Sequence, residues 1–114
     1  MTERHPSSQR FHDLLDQCKA LHDKKQQDYG REHDPFANVR ASQDFGVPAW
    51  VGAMVRLNDK VKRLQALATG STLQNEGALD SFQDILVYAG IAYVLYEEKM
   101  NADKSQECRK EPHV

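Results

Sequence analysis

Three acidic side chains, Glu76, Asp80 and Asp84, follow one another at four-residue spacing where the most apolar segment of the sequence begins. On a helix this spacing places the three carboxylates on one face. Stacked carboxylates repel one another, and they lose solvation at the entrance of a buried helix. A bound divalent cation would remove both penalties, so the pattern points first to a metal site. Carboxylates that leave coordination positions open suit Mg²⁺ or Mn²⁺, which keep waters for a phosphate substrate.

Other charged side chains that could serve such a site lie earlier in the sequence. Lys25 and Asp28 continue the core-facing stripe of the first predicted helix, where they must be paired or line a cavity. Asp59 is followed by Lys60 and Arg63 on the third predicted helix. Cationic side chains beside a metal would neutralise phosphate oxygens. The reaction that these residue types imply is phosphoryl or nucleotidyl hydrolysis by metal-activated water.

The same charged residues also have a purely structural interpretation. Charged side chains at helical spacing usually form a solvated face, and Asp59 with Lys60 and Arg63 would then be surface ion pairs of little energetic value. Asp84 is the hardest to interpret in this way, because apolar residues continue its own face of the helix. Tyr88, one turn beyond Asp84, fits either a core position or a surface on which a base stacks.

Three His-Asp pairs raise the alternative of an HD-type phosphohydrolase. They are His12-Asp13, His22-Asp23 and His33-Asp34. Two of the pairs lie ten residues apart on one short predicted helix, and the chain is short for that fold, which disfavours this alternative. The sequence contains no glycine-rich phosphate loop, Cys-x-x-Cys motif or nucleophile elbow.

The length, net charge and composition of the chain limit the folds that could position these residues. A chain of 114 residues predicts one domain, and a net charge of −2 argues against polymeric nucleic acid or a membrane as partner. Cys18 and Cys108 do not form a disulfide framework, so we expect two free thiols. The polar first ten residues do not resemble a signal peptide, and the apolar run 85–96 is short for a bilayer span. These features predict a soluble, cytoplasmic protein.

Apolar periodicity predicts an all-α fold with four helices. The first begins after Ser7-Ser8 and stops at Gly30. A turn at Asp34-Pro35 then precedes a short second helix over residues 36–43. The third runs from near Pro48 to about Ala68. Its main apolar stripe, which we expect to face the core, consists of Trp50, Met54, Leu57, Val61, Leu64 and Ala68.

The fourth predicted helix runs from about Asn75 to Met100 and is apolar on two faces. Short connections favour a four-helix bundle in which this helix is central or lies at a subunit interface. We therefore expect a single helical domain over residues 1–100, and a disordered polar tail over residues 101–114.

Four segments resemble small phage-type relatives of the MazG all-α nucleoside triphosphate pyrophosphohydrolases. They are Lys25–Gly30, Asp34–Arg40, Val55–Leu64 and Glu76–Ala89. The most specific pieces are an Asp-Tyr-Gly turn, the run Asp59-Lys60-x-x-Arg63, and Asp80-x-x-x-Asp84-x-x-x-Tyr88-Ala89. Their order and spacing carry the resemblance, which covers roughly residues 14–98.

This resemblance implies a helical homodimer or homotetramer that uses Mg²⁺ or Mn²⁺ to cut a (deoxy)nucleoside triphosphate into monophosphate and pyrophosphate. Glu76, Asp80 and Asp84 match the acidic helix that holds metal and carries catalysis, and Asp59 falls in the preceding acidic helix. The remaining matched positions are expected to meet the nucleotide or its phosphates. They are Lys25, Asp28, Tyr29, Asn38, Lys60, Arg63 and Tyr88.

The sequence departs from the family pattern of Glu-x-x-Glu on one helix and Glu-x-x-Asp on the next. Asp59 has Arg56 and Lys62 three residues away, and Ser81 stands three residues before Asp84. Two alternatives to the enzyme therefore stay open. One is a non-catalytic helical oligomer that binds nucleotides or acts as a scaffold, and the other is a structural core in which the acids only form ion pairs.

Overall fold

The computed structural model describes residues 3–29, 34–72 and 77–110, with side chains over 3–27, 34–72 and 77–106. All regular elements in these ranges are helical. They are α1 (Pro6–Tyr29), α2 (Ala37–Arg40), a 3₁₀ helix (Ala41–Phe45), α3 (Ala49–Ala68) and α4 (Ala78–Lys110). The predicted all-α class is therefore confirmed for the described part of the chain.

The chain divides into two compact units, residues 1–37 and 38–114, and each is described by itself. The first unit contains α1, which begins at Pro6 rather than after Ser7-Ser8. Proline suits the first helical position, and the Ser7 N–H donates to Nδ1 of His5 over 3.1 Å, so His5 takes the capping role that the serines were predicted to have. The described part of the helix reaches Tyr29, and Gly30, where the sequence predicts its end, lies outside the described residues.

The turn predicted at Asp34-Pro35 is held by its own aspartate. Oδ1 of Asp34 accepts a hydrogen bond from the Phe36 N–H over 3.0 Å, and its carbonyl oxygen accepts one from the Ala37 N–H over 3.2 Å. The ring of Phe36 lies 5.8 Å from that of His22 on α1. This contact attaches the turn to α1 within the first unit.

In the second unit α3 packs along α4, and most of the buried residues on the two helices are small. The buried apolar residues in the described part of the chain are Val39, Ala49, Ala53, Ala92 and Leu95, and the polar Ser81, near the start of α4, is fully buried as well. Alanine and serine at these positions let two helix backbones approach closely. The closeness of this helix pair decides which other side chains can meet across it.

The predicted apolar stripe of α3 is only partly correct. Trp50, Met54, Leu57, Val61, Leu64 and Ala68 were expected to face the core. Met54 and Ala68 are exposed, whereas Ala49 and Ala53 are buried. The inward face is rotated by about one residue, because the alanines allow closer contact with α4 than a methionine does.

The 3₁₀ helix packs against α3 at a position that requires glycine. A Cβ atom on Gly52 would lie 2.7 Å from Oγ of Ser42 and 3.0 Å from the carbonyl oxygen of Val39. The Ser42 hydroxyl in turn donates to the Val47 carbonyl oxygen over 3.0 Å. This close approach fixes where the chain enters α3 and, with it, the register of the helix.

Helix α4 continues to Lys110, ten residues beyond the predicted end at Met100 and into the tail that was predicted over residues 101–114. Residues such as Ala102, Lys104 and Gln106 are good helix formers, and neither glycine nor proline interrupts the chain before Pro112. An apolar face is not needed to extend a helix that packing has already nucleated. Residues 111–114 lie outside the described part.

Among the described helices, α4 is long and apolar enough to cross a membrane by length and composition alone. Its most apolar 18-residue window has a mean hydropathy of 1.3, so the apolar part is longer than the dozen residues counted from the sequence. Core helices of globular proteins pass the same test. Here only 17% of that window is buried, which leaves much of its apolar surface uncovered.

Candidate functional site

An ion pair between α3 and α4 lies at the centre of the candidate site. Nζ of Lys60 lies 3.1 Å from Oδ2 of Asp84, with 22% of the lysine and 41% of the aspartate side chain exposed. Asp84 follows the fully buried Ser81 by one turn, which keeps its carboxylate near the contact with α3. A pair that is partly shielded from water attracts more strongly than a fully exposed pair.

Asp80 lies in the first turn of α4, one turn before Asp84 on the same face, and its side chain is exposed. The positive end of the helix dipole favours an anionic side chain in this turn. The structure thus confirms that Asp80 and Asp84 are stacked on one helix. Glu76, the third acid of the predicted stripe, lies outside the described residues.

The helix pair is antiparallel, and this decides which cation lies near which acid. Lys60 contacts Asp84, whereas Trp50 contacts Tyr96 further along α4. Moving forward along α3 therefore means moving backward along α4. Arg63, which is half-buried, lies about 4.5 Å further along α3 than Lys60, at the level of Asp80. Two cationic and two acidic residues therefore gather at the end of the helix pair next to its connecting loop.

The remaining predicted residues of the second unit lie around this group with different exposures. Asp59 is exposed, and as the neighbour of Lys60 it is turned by about 100° around α3, away from the ion pair. Tyr88 is half-buried one turn beyond Asp84, on the side away from the connecting loop. Asn38 is exposed in α2. Asp59 therefore does not join Asp80 and Asp84 on the same surface.

Three of the predicted nucleotide-binding residues belong to the first unit. Lys25 is exposed on α1, and Asp28 and Tyr29 lie in the last turn of that helix, with side chains outside the described residues. Of the predicted site residues in the second unit, the structure places Lys60 in contact with Asp84, and Arg63, Asp80 and Tyr88 lie within about one helical turn of this pair along their helices. We refer to these five residues as the α3–α4 site.

The α3–α4 site offers a metal ion two carboxylates rather than a complete set of protein ligands. No group of three His, Cys, Asp or Glu side chains converges anywhere in the described residues. Mg²⁺ is commonly held by one or two carboxylates together with waters and substrate phosphates. Asp80 and Asp84 fit that mode of binding, provided that Asp84 exchanges its contact with Lys60 for the metal.

The second unit also contains an aromatic groove that the sequence analysis did not predict. The rings of Trp50 and Tyr96 meet edge to face at 5.4 Å beside a groove of about 560 Å³, which Tyr93 and Met100 also line. Trp50 was interpreted as a core residue, but it is only half-buried. Its Nε1 is buried and has no hydrogen-bond partner in the described part of the chain. The 3–4 spacing of Tyr93, Tyr96 and Met100 was the available signal.

A further ion pair connects α2, before α3, to the second half of α4. Nη2 of Arg40 lies 2.9 Å from Oε2 of Glu98. Because 58 residues separate the two side chains, helical periodicity could not have indicated the pairing. Along α4 this contact lies just beyond Tyr96, on the side away from the α3–α4 site.

Comparison of the chain with protein-family models, with curated proteins and with solved structures gives no match. What the chain can do must therefore be argued from its own geometry. That geometry is a half-buried lysine on one helix and two stacked aspartates on the next, with an arginine at their level. Such an arrangement can bind an anion and a divalent cation side by side.

We expect the Lys60–Asp84 pair to contribute measurable coupling energy, because Lys60 is largely shielded from water. A double-mutant cycle of Lys60→Met and Asp84→Asn should give a coupling of about 0.5–1 kcal/mol in the free energy of urea unfolding. The coupling should shrink in high salt.

The exposed pair Lys19–Asp16, at 3.9 Å with 78% and 73% of the side chains exposed, is the matched control and should give nearly zero. Equal coupling in the two cycles would show that Lys60 and Asp84 are an ordinary surface pair.

Proposed function

We propose that this chain is a metal-dependent pyrophosphohydrolase that cuts a (deoxy)nucleoside triphosphate into monophosphate and pyrophosphate, in control of the cytoplasmic nucleotide pool. The contact between Lys60 and Asp84 is the observation that supports this proposal. It brings a cationic group to a carboxylate that has a second carboxylate one turn away. A triphosphate bound with a divalent metal needs both kinds of group within a few ångströms.

In this proposal Asp80 and Asp84 hold Mg²⁺ or Mn²⁺, and Glu76 is the third carboxylate. When bound, the metal supplies an activated water and neutralises phosphate charge. The resemblance of the sequence to the MazG group adds Asp59 as a further ligand, although its exposed carboxylate is turned away from the other two. The two-carboxylate arrangement is the part that draws support from the structure.

Lys60 has two alternative partners in the proposed cycle. Without substrate its ammonium group neutralises Asp84 at 3.1 Å and offsets the repulsion between Asp80 and Asp84. When substrate is bound, the Lys60 ammonium group contacts a phosphate oxygen instead. The Asp84 carboxylate can then serve as a metal ligand. Lys60 thereby stabilises the charge that develops on the α-phosphoryl oxygens during attack by water.

Arg63 and Tyr88 extend the same surface in opposite directions. The guanidinium of Arg63, at the level of Asp80, suits a bidentate contact with the departing pyrophosphate. Tyr88 presents a half-buried ring on which a base can stack. Lys25, Asp28, Tyr29 and Asn38 are proposed to meet the rest of the nucleotide through the resemblance alone, as are the four-helix bundle and the homodimer or homotetramer.

A non-catalytic nucleotide-binding or scaffolding oligomer is the second candidate. It is favoured by the lack of a three-carboxylate group in the described residues, and by the neutralisation of Asp84 by Lys60. Such a protein would bind a nucleotide through Lys60 and Arg63 and release no product.

The proposal predicts that Asp84→Asn abolishes turnover and leaves the fold intact. Ion-exchange analysis of products from the eight common NTPs and dNTPs with Mn²⁺ should show monophosphate and pyrophosphate from wild-type protein, and at least roughly 100-fold less from the variant. Asp103→Asn makes the same change at an exposed site near the far end of α4 and should retain wild-type turnover.

Release of inorganic phosphate would place the cut elsewhere and reject the proposed reaction. Absence of any product from folded protein would favour the non-catalytic oligomer. Wild-type turnover by Asp84→Asn would remove the aspartate from the mechanism.

We also predict that Lys60→Met strengthens metal binding while it weakens turnover, because Lys60 competes with the metal for Asp84. Mn²⁺ should raise the thermal midpoint of wild-type protein, by about 2.7 kcal/mol of stability at a hundredfold excess over Kd. The rise should occur at lower Mn²⁺ concentration in Lys60→Met and be lost in Asp84→Asn. Indistinguishable Mn²⁺ titrations of the three proteins would contradict a metal site at Asp84.

A further inference from the structure

An apolar stripe runs along a face of α4 that α3 covers only at its edge, where Trp50 contacts Tyr96. Its members alternate at spacings of three and four residues, which is the heptad pattern of helices that pair with other helices. They are Leu79, Phe82, Leu86, Ala89, Tyr93, Tyr96 and Met100. Leu79 is 83% exposed, Tyr93 70% and Phe82 59%. We call these seven residues the α4 stripe.

The area of the α4 stripe is large enough for a specific interface. An aromatic side chain offers about 150–250 Å² for burial, so Phe82 and Tyr93 still expose roughly 100–150 Å² each. Together with Leu79, Tyr96 and Met100 the stripe presents on the order of 500 Å² of apolar surface on one copy. Two such faces bury about 1,000 Å², the lower bound for a specific protein interface.

The two ends of the α4 stripe have complementary shapes. At one end Leu79 and Phe82 protrude from the first turns of α4. At the other end Tyr93, Tyr96 and Met100 line the groove of about 560 Å³ beside Trp50. About 17 Å of helix, or eleven residues, separates Phe82 from Tyr93. A protrusion and a groove on one face suit a two-fold symmetric interface, because the protruding side chains of each copy then fill the groove of the other copy.

We propose that the α4 stripe is the interface with a second copy of this chain, and that the two α4 helices pair antiparallel. The two-fold axis passes at the level of Val87 and Tyr88, so Phe82 meets the partner's Tyr93 and Leu79 meets the partner's Tyr96. Each groove beside Trp50 is thereby covered by apolar side chains of the other copy. This specifies the assembly named in the proposed function, although it is derived from α4 alone.

Charge selects the antiparallel orientation. In a parallel pair Lys99 would flank the partner's Lys104, because residues five positions apart meet across such a seam. In the antiparallel register Lys99 lies near the level of the partner's Ala78, so that repulsion is removed. Asp84 and Lys60 lie on the α3 side of α4, away from the seam, so dimerisation leaves the α3–α4 site open.

A bilayer is a weaker candidate for covering α4. Lipid would surround a helix on all sides, but α3 covers one side of α4 and keeps a charged pair there. Apart from Val94, the exposed large apolar residues of α4 follow a single heptad stripe rather than the whole circumference, which suits another helix.

Sedimentation equilibrium of the full chain tests the interface. Wild-type protein should be dimeric or a higher even oligomer, and Tyr93→Glu should weaken dimerisation by about 30-fold or more, as expected for a central aromatic anchor. Ser105→Glu, an exposed change off the stripe, should leave dimerisation unchanged. Circular dichroism confirms that each variant is folded. A wild-type monomer at about 100 μM would overturn the proposal, since an interface of this size holds well below that concentration.

Cross-linking tests the orientation in a background of Cys18→Ser and Cys108→Ser. Phe82→Cys chains mixed with Tyr93→Cys chains should form the mixed disulfide in preference to either symmetric one. Dominant 82–82 and 93–93 disulfides would establish a parallel pair and overturn the proposed one.

Flotation of wild-type but not Tyr93→Glu protein with phosphatidylcholine vesicles would assign the stripe to lipid instead. A dimer without turnover would contradict the proposed function alone, and turnover by a wild-type monomer would contradict this inference alone.

Discussion

The close approach of α3 and α4 is the constraint on which the rest of the second unit depends. Ala53 and Ser81 are fully buried at this contact, and Ala92 and Leu95 continue it along α4. Small side chains bring the two backbones near enough for a lysine on one helix to reach an aspartate on the other. A larger residue at Ala53 would have to be accommodated by moving the helices apart, since interiors leave little free volume.

The same packing also determines what remains uncovered. Because α3 covers only one side of α4, the polar α3–α4 site and the apolar α4 stripe lie on different sides of one helix. Phosphate binding and subunit assembly can therefore use separate surfaces of this chain of 114 residues. The helix is largely exposed in the single chain, and a buried core of five apolar side chains in the described residues is small. Both features favour a chain that completes its packing in an assembly.

The start and end of α3 were predictable because each is marked by a strong local signal in the sequence. Pro48 stands at its start, Gly70 follows its end with a positive φ of 101°, and the helix spans Ala49–Ala68, close to the prediction. The extension of α4 was missed because an end was inferred where apolar periodicity stopped. Helix propensity alone continues the helix past Met100.

Spacing within one helix predicted that Asp80 and Asp84 share a face, but it could not predict which residue opposes them. Contact between helices depends on register, which is set by small residues far away in sequence. For that reason Lys60 was named as a phosphate ligand and not as the partner of Asp84. The groove beside Trp50 could not be predicted for the same reason. Whether the groove is open to solvent depends on which side of α4 is covered by α3.

The most direct measurement is turnover in ¹⁸O-labelled water with Mn²⁺ and a mixture of nucleoside triphosphates, followed by mass spectrometry of the products. Attack at the α-phosphorus, with Lys60 and Arg63 holding the phosphates, predicts one ¹⁸O atom in the monophosphate and none in the pyrophosphate. Label in the pyrophosphate, or label in released inorganic phosphate, would contradict the proposed reaction. Folded, dimeric protein that incorporates no label into any product would contradict catalysis altogether.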